Sequence, residues 1–134
     1  MPEEECLSRL LVYLNIKLEK ERRIMDALTV GLVGTKEVMA TPAMSAVVMG
    51  SGTVEDTFGS PAMLALMEGA AVNAIDHLLP DGYTSVGIEA HIKHLAPSAI
   101  DNRIRAEAIV TAVTGRKISF EVAAWDEVEE IGSG

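Results

Sequence analysis

The sequence predicts an α+β domain in which a curved antiparallel sheet wraps around one long central helix. Three observations carry that reading. A single strongly apolar segment, AMLALMEGAAVNAIDHLL, is bracketed by Ser60-Pro61 and by Pro80-Asp81-Gly82, which is start and stop chemistry for a helix over residues 61–79. Strand-like runs follow at residues 84–95, 103–114 and 117 to about 131, the last two joined by the hairpin signal Thr114-Gly115-Arg116-Lys117. A further strand pattern, LTVGLVGTKEVMA, occupies residues 28–40 ahead of the helix. Strands gathered around one buried helix make a two-layer α+β domain.

Composition bounds the rest. The chain has 134 residues, 49% of them hydrophobic and 23% charged, which fits one domain over residues 1–134 and excludes a disordered chain. Twenty acidic side chains against eleven basic ones give a net charge of −9. That balance argues against a nucleic-acid binder, which needs a concentrated basic surface. No apolar run reaches the ~18 residues of a membrane span. The opening MPEEECLSR is acidic where a secretory signal would be basic, so the expected setting is cytoplasmic, away from membranes. Cys6 is the lone cysteine; it forms no internal disulfide, and no metal site is expected.

Residues 1–25 form a separate arm. Five acids (Glu3, Glu4, Glu5, Glu19, Glu21) and five bases (Arg9, Lys17, Lys20, Arg22, Arg23) cancel there, so the remaining fifteen acids and six bases carry the whole −9. Its periodicity reads two ways. Leu10, Val12, Leu14, Ile16 and Leu18 alternate with Leu11, Tyr13, Asn15, Lys17 and Glu19 as in a strand. Leu7, Leu10, Leu11, Leu14 and Leu18 also fall at helical spacing, among good helix formers. Farther on, TPAMSAVVMGSG reads as a short helical or irregular turn, and residues 53–58 as a short strand. The echo between ATPAMSAVVMG and GSPAMLALMEG reflects shared helix-start chemistry, not duplication. The helix at 61–79 is apolar nearly all round, so burial on most faces is expected. A curved antiparallel sheet around such a helix is the hotdog fold.

Three residues stand out chemically. Glu68 sits in MLALMEGAAV with apolar neighbours, where burial would cost several kcal/mol or raise its pKa. A rim carboxylate is the bland reading, but the segment offers almost no polar stripe, so a buried, functional carboxylate is expected. His94 alternates in phase with Val86, Ile88, Ala90 and Ile92, which points it towards the helix, while His91 shares the other face with Lys93. A lone His on an apolar face is usually a hydrogen-bonded core residue; its convergence with Glu68 is what singles it out. Ser60 is by default the helix N-cap, with a second possible use in acyl transfer beside the positive helix end. It lies eight residues before Glu68, a little over two turns.

At this point GSPAMLALMEGAA, TSVGIEAHIKHLAP and GRKISFEVAAWDEVEEIGSG together resemble the fluoroacetyl-CoA thioesterase-like family of hotdog proteins. The resemblance covers about residues 27–134, with motifs agreeing in order and spacing. It implies an acyl-CoA thioesterase working as a homodimer, with the site at the subunit interface and no cofactor beyond the CoA of its substrate. The family's catalytic hydroxyl, Glu and His match Ser60, Glu68 and His94, and its functional Gly matches Gly87. The fluoroacetyl-specific enzyme has Thr where this chain has Ser60. Family members also continue past GSG into a strand opening on His-Glu-Arg. The arm resembles that strand, with Arg9 at the motif's Arg as a substrate-binding residue and Leu7 at its His. On this reading the arm is a permuted terminal strand paired beside the strand ending near Ile131, with residues 19–27 as the connection. The rival is a truncated family member with an N-terminal helix. For function, the alternative to catalysis is a non-catalytic acyl-CoA or small-ligand binding protein.

Overall fold

The computed structural model describes residues 2–134; the side chains of Pro2, Tyr13 and Met25 lie outside the description, and with them the place of Tyr13 in the alternation of the arm. The chain runs α1 (Pro2–Ala27), β1 (Val33–Met39), a 3-10 turn (Pro42–Met44), α2 (Ser60–Ile75), β2 (Lys93–His94), β3 (Arg103–Thr114), β4 (Lys117–Trp125) and β5 (Glu130–Ser133). The five strands form one sheet in the order β1-β3-β4-β5-β2, antiparallel throughout. α2 lies across it, and the core forms between them from Met63, Leu66, Met67 and Ala70 against Ile104, Ala106, Ala108, Ala124 and Ile131.

The helix and sheet approach closely because small residues meet at the crossing. A Cβ on Gly34 would overlap the Ala70 carbonyl oxygen and lie 2.8 Å from Ala74 Cα. A Cβ on Gly132 would run into Met63 and lie 3.0 Å from the Met67 methyl. At Gly34 only hydrogen fits, because the obstruction is backbone, whereas at Gly132 a side chain would displace the ends of the two methionines. Asn73 adds a polar tie, donating to the Thr35 carbonyl at 2.8 Å.

The arm is the main correction. Residues 2–27 form a helix, so they are not a permuted strand beside Ile131 and residues 19–27 are not a connection. The physical reason is local. Leu, Glu, Lys and Arg favour helix, Glu3, Glu4 and Glu5 complement the positive helix start, and Arg9 pairs with Glu5 one turn away. Strand alternation would need a neighbour to pair with, and beside Ile131 both sides of β5 are already taken, by β4 and by β2.

Smaller differences follow the same logic. Of the run at 84–95 only Lys93–His94 is laddered within the chain. Residues 53–58 contribute isolated bridges, Ser45↔Phe58 and Thr57↔Ala99, and no strand. The final run splits into β4 and β5 around a turn built by Asp126, whose carboxylate accepts the Val128 and Glu129 N–H groups at 2.8 Å and the buried Ser98 hydroxyl. Burial works against that charge, but the three donors prevail and hold the carboxyl below its ordinary value.

Two stability changes are expected. Gly34→Val should lower stability by about 3 kcal/mol or more, because backbone must separate from backbone. Asp126→Ala should cost about 1–3 kcal/mol by leaving the buried Ser98 donor without its acceptor. Urea titration of each variant at fixed pH checks both, and a midpoint within error of the parent would contradict this packing account.

Candidate functional site

The first turn of α2 and the end of β2 bring Ser60 and His94 together. Ser60 Oγ and His94 Nδ1 lie 2.8 Å apart. The expectation that Ser60 caps the helix is corrected: Gly59 occupies the N-cap position in extended conformation, no side chain caps the helix, and Ser60 is its first residue. Its hydroxyl is therefore committed to His94. In one neutral tautomer that hydroxyl donates to Nδ1; in the other Nδ1–H donates to Oγ. Either way Nε2 is the uncommitted atom, and it is shielded from solvent with no partner among the described residues.

Desolvation lowers the His94 pKa below the ordinary 6.5, against a smaller opposing contribution from the Ala96 backbone. The ring is thus held neutral near pH 7, as a base or hydrogen-bond acceptor must be. Beside the pair opens a cleft of about 240 Å³, walled by Ala46, Thr57, Phe58, Leu95 and Pro97. That is small against the ~300–1,000 Å³ of drug-sized ligand pockets. Sequence reasoning did not find these wall residues, because they come from loops with no periodic pattern.

Glu68 departs from expectation. It is exposed, and among the described residues no hydrogen bond joins it to His94. The buried side of α2 comprises Ala62, Met63, Leu66, Met67, Ala70, Ala74 and Ile75. Glu68 falls about 150° round the helix from the middle of that arc. The apolar look of the segment misled here, since Pro61, Ala65 and Val72 share the exposed side. What Glu68 meets is Gly87: a Cβ there would sit 3.3 Å from Glu68 Oε1. The extended segment at 83–92 therefore lies over the carboxylate, and Ser85 fastens it by donating to Asp76 Oδ1.

Two pairs result, Ser60 with His94 and Glu68 with Gly87. Their helical members are separated by roughly 12 Å along α2 at 1.5 Å per residue. The inward phase expected from Val86 to His94 holds only at its end. Ile92 packs on the core and His94 is half-buried, whereas Val86 and Ile88 are 78% and 76% exposed. Arg9 is not brought to either pair by any described contact; it lies exposed on α1 in its ion pair with Glu5. Among the described residues no cluster of His, Cys, Asp and Glu could hold a metal ion. No helix is long and apolar enough to cross a membrane.

Comparisons with known proteins bear on the family and the fold. The profile of a family described as fluoroacetyl-CoA-specific thioesterase matches residues 41–134. A fluoroacetyl-CoA thioesterase from Streptantibioticus cattleyicolor is 35% identical over 79 residues, 59% of this chain and 57% of that protein. The chain thus matches a little over half the length of that relative. A solved structure of a fluoroacetyl-CoA thioesterase superposes with a TM-score of 0.74 at 29% identity, covering 80% of this chain and 83% of that one. A hot-dog-like protein from Thermanaerovibrio acidaminovorans gives 0.73 at 24% identity, over 81% and 79% of the two chains. The architecture is a hotdog fold.

One measurement tests the electrostatics of the site. The His94 ring, followed by NMR, should titrate below pH 6.5, and the midpoint should fall no further than that neutral, half-buried setting requires. A midpoint at or above 6.5 would remove the basis for a neutral imidazole here.

Proposed function

The chain belongs to the fluoroacetyl-CoA-specific thioesterase family, and from that premise we propose that it hydrolyses a small acyl-CoA thioester to the free acid and CoA. The observation that carries the reading is the Ser60–His94 pair at the mouth of a small cleft, with the buried His94 Nε2 left without a partner. A buried polar atom without a partner is costly unless something else satisfies it, and a bound carbonyl, thiolate or water supplies what is missing.

The chemistry divides among four residues. Glu68 either attacks the thioester carbonyl or takes a proton from the attacking water. His94 assists protonation of the leaving thiolate or orients the water, and Ser60 holds the ring and the carbonyl oxygen. The Gly87 N–H supports charge developing on the carbonyl oxygen. Water adds across the C–S bond, its hydroxyl going to the acyl carbon and its proton to the CoA sulfur.

The roughly 12 Å between the two pairs is bridged by a second copy. β2 is the last strand of the sheet, so its outer edge is free and continues into the exposed segment at 83–92. Antiparallel pairing of that edge with its copy runs the two segments past one another and brings Gly87 of one subunit towards the His94 end of the other. Each Glu68 then stands beside the Ser60 and His94 of the other subunit. The same pairing covers Val86 and Ile88. This homodimer makes both sites composite, and CoA is part of the substrate with no further cofactor.

Free-thiol release from a panel of short acyl-CoAs tests the activity. Glu68→Gln and His94→Ala should each lower turnover at least ~100-fold, the scale of a positioned acid or base. Mixing and refolding the two inactive proteins together should restore about a quarter of the parent rate, since half the dimers are mixed and each has one intact site. No recovery would confine the site to one chain. Binding of acyl-CoA without thiol release in the parent would instead support the non-catalytic alternative. The kcat/KM profile should carry an acid limb with its midpoint below pH 6.5, because protonating His94 removes the neutral ring that orients the water.

A further inference from the structure

α1 touches the body through its last turns. Ile24 packs with Leu28, Ala74, Ile75 and Val110, and Arg116 donates to the Glu21 carboxylate. Ahead of that contact, Leu7, Leu10, Leu11, Leu14 and Leu18 are between 44% and 62% exposed. At 100° per residue all five fall within an arc of about 100°. Four of them, Leu7, Leu11, Leu14 and Leu18, follow the 4-3-4 spacing of a coiled-coil seam. A stripe of large apolar side chains left open on a folded chain marks a contact surface.

We propose that this stripe is a self-association seam on which α1 of a second copy lies antiparallel. Charge selects both the occupant and its direction. The first turn carries Glu3, Glu4 and Glu5, whereas the later half carries Lys17, Lys20, Arg22 and Arg23 against Glu19 and Glu21. With Leu7 facing Leu18 and Leu11 facing Leu14 of the other copy, Glu3 falls opposite Arg22 and Glu5 opposite Lys20, against one like pair, Glu4 opposite Glu21, whose Glu21 is already bound by Arg116. Every seam leucine is covered by a leucine, and opposite charges outnumber like ones at each end. A parallel pair would set Glu3, Glu4 and Glu5 against their own copies. A lipid surface is the weaker match, because helices that lie on anionic bilayers carry a basic polar face and this arm is charge-balanced. The seam is separate from the edge at 83–92, so it adds to whatever assembly that edge sets and leaves the proposed site untouched.

The test uses the full chain. Light scattering after size exclusion should give the parent twice the mass of Leu11→Glu/Leu14→Glu at the same concentration. Direction is read in a Cys6→Ser background, where Leu7→Cys and Leu18→Cys should cross-link with each other on mild oxidation when mixed, and neither should cross-link alone. The cross-link decides even if the glutamate variant loses helix. Equal masses together with no cross-link in the mixture would overturn the proposal, as would cross-linking of either cysteine variant by itself. Co-sedimentation of the parent with 7:3 phosphatidylcholine:phosphatidylglycerol vesicles, lost in the glutamate variant without any change of mass in solution, would assign the stripe to a membrane and overturn it equally.

Discussion

The close crossing of α2 over the sheet is the constraint from which the rest of this molecule follows. Dispersion and apolar burial fall off steeply with separation, so a helix held within contact of strand backbone gains more per residue than one standing off on large side chains. Gly34 permits that approach at one end of the crossing and Gly132 at the other. Between them the sheet presents Ala106, Ala108 and Ala124, all fully buried, against Met63, Met67 and Ala70. With very few aromatics in the chain, depth of contact replaces size of side chain as the source of core stability.

Gly132 also links this packing to the site. It is paired with His94 across the β5–β2 ladder, and its missing side chain is what seats Met63 of α2. The distance from the helix start to β2 is therefore set by the packing on β5, and the 2.8 Å Ser60–His94 contact inherits its geometry from that seat. At the other end of the segment Ser85 is pinned to Asp76, where α2 has just ended. The strip carrying Gly87 and His94 is thus tethered at both ends of one helix, which keeps both pairs in register along it.

Much of this was legible in the sequence because it depends on local chemistry. The start of α2 at Ser60-Pro61, and β3 and β4 flanking Gly115-Arg116, need only capping, alternation and turn residues to be read. The misreadings have a common physical origin: they concern groups whose environment is set by something beyond their own segment. Alternation in residues 10–18 is compatible with a strand, but a strand exists only with a neighbour, and without one the helix formers prevail. Val86 and Ile88 have the pattern of a buried face, yet no strand of the same chain covers the outer side of β2. Glu68 looked enclosed because alanine, glycine and proline count as apolar while filling little of a helix face. The sequence points to a convergence of His94 with Glu68, whereas the residue bonded to His94 is Ser60; that this bond displaces the cap was not readable, since a cap and a first-turn residue differ by one position.

That displacement shows where stability yields to the site. A capping hydroxyl is worth about 1 kcal/mol to a helix, and here the residue best suited to the role stands one position inside it. Gly59 takes the cap position without a side chain to fill it, because a Cβ there would already lie 3.3 Å from the Ala46 backbone. The first-turn N–H groups of α2 consequently receive no side-chain acceptor, and Ser60 of that turn lines the cleft. Uncapped helix starts carry partial positive charge, which favours an anion and disfavours a cation nearby. Desolvation keeps the His94 ring neutral, and the positive helix start suits the negative charge that grows on a thioester oxygen under attack. A helix optimised for stability would place Ser at the cap and lose the Ser60–His94 bond.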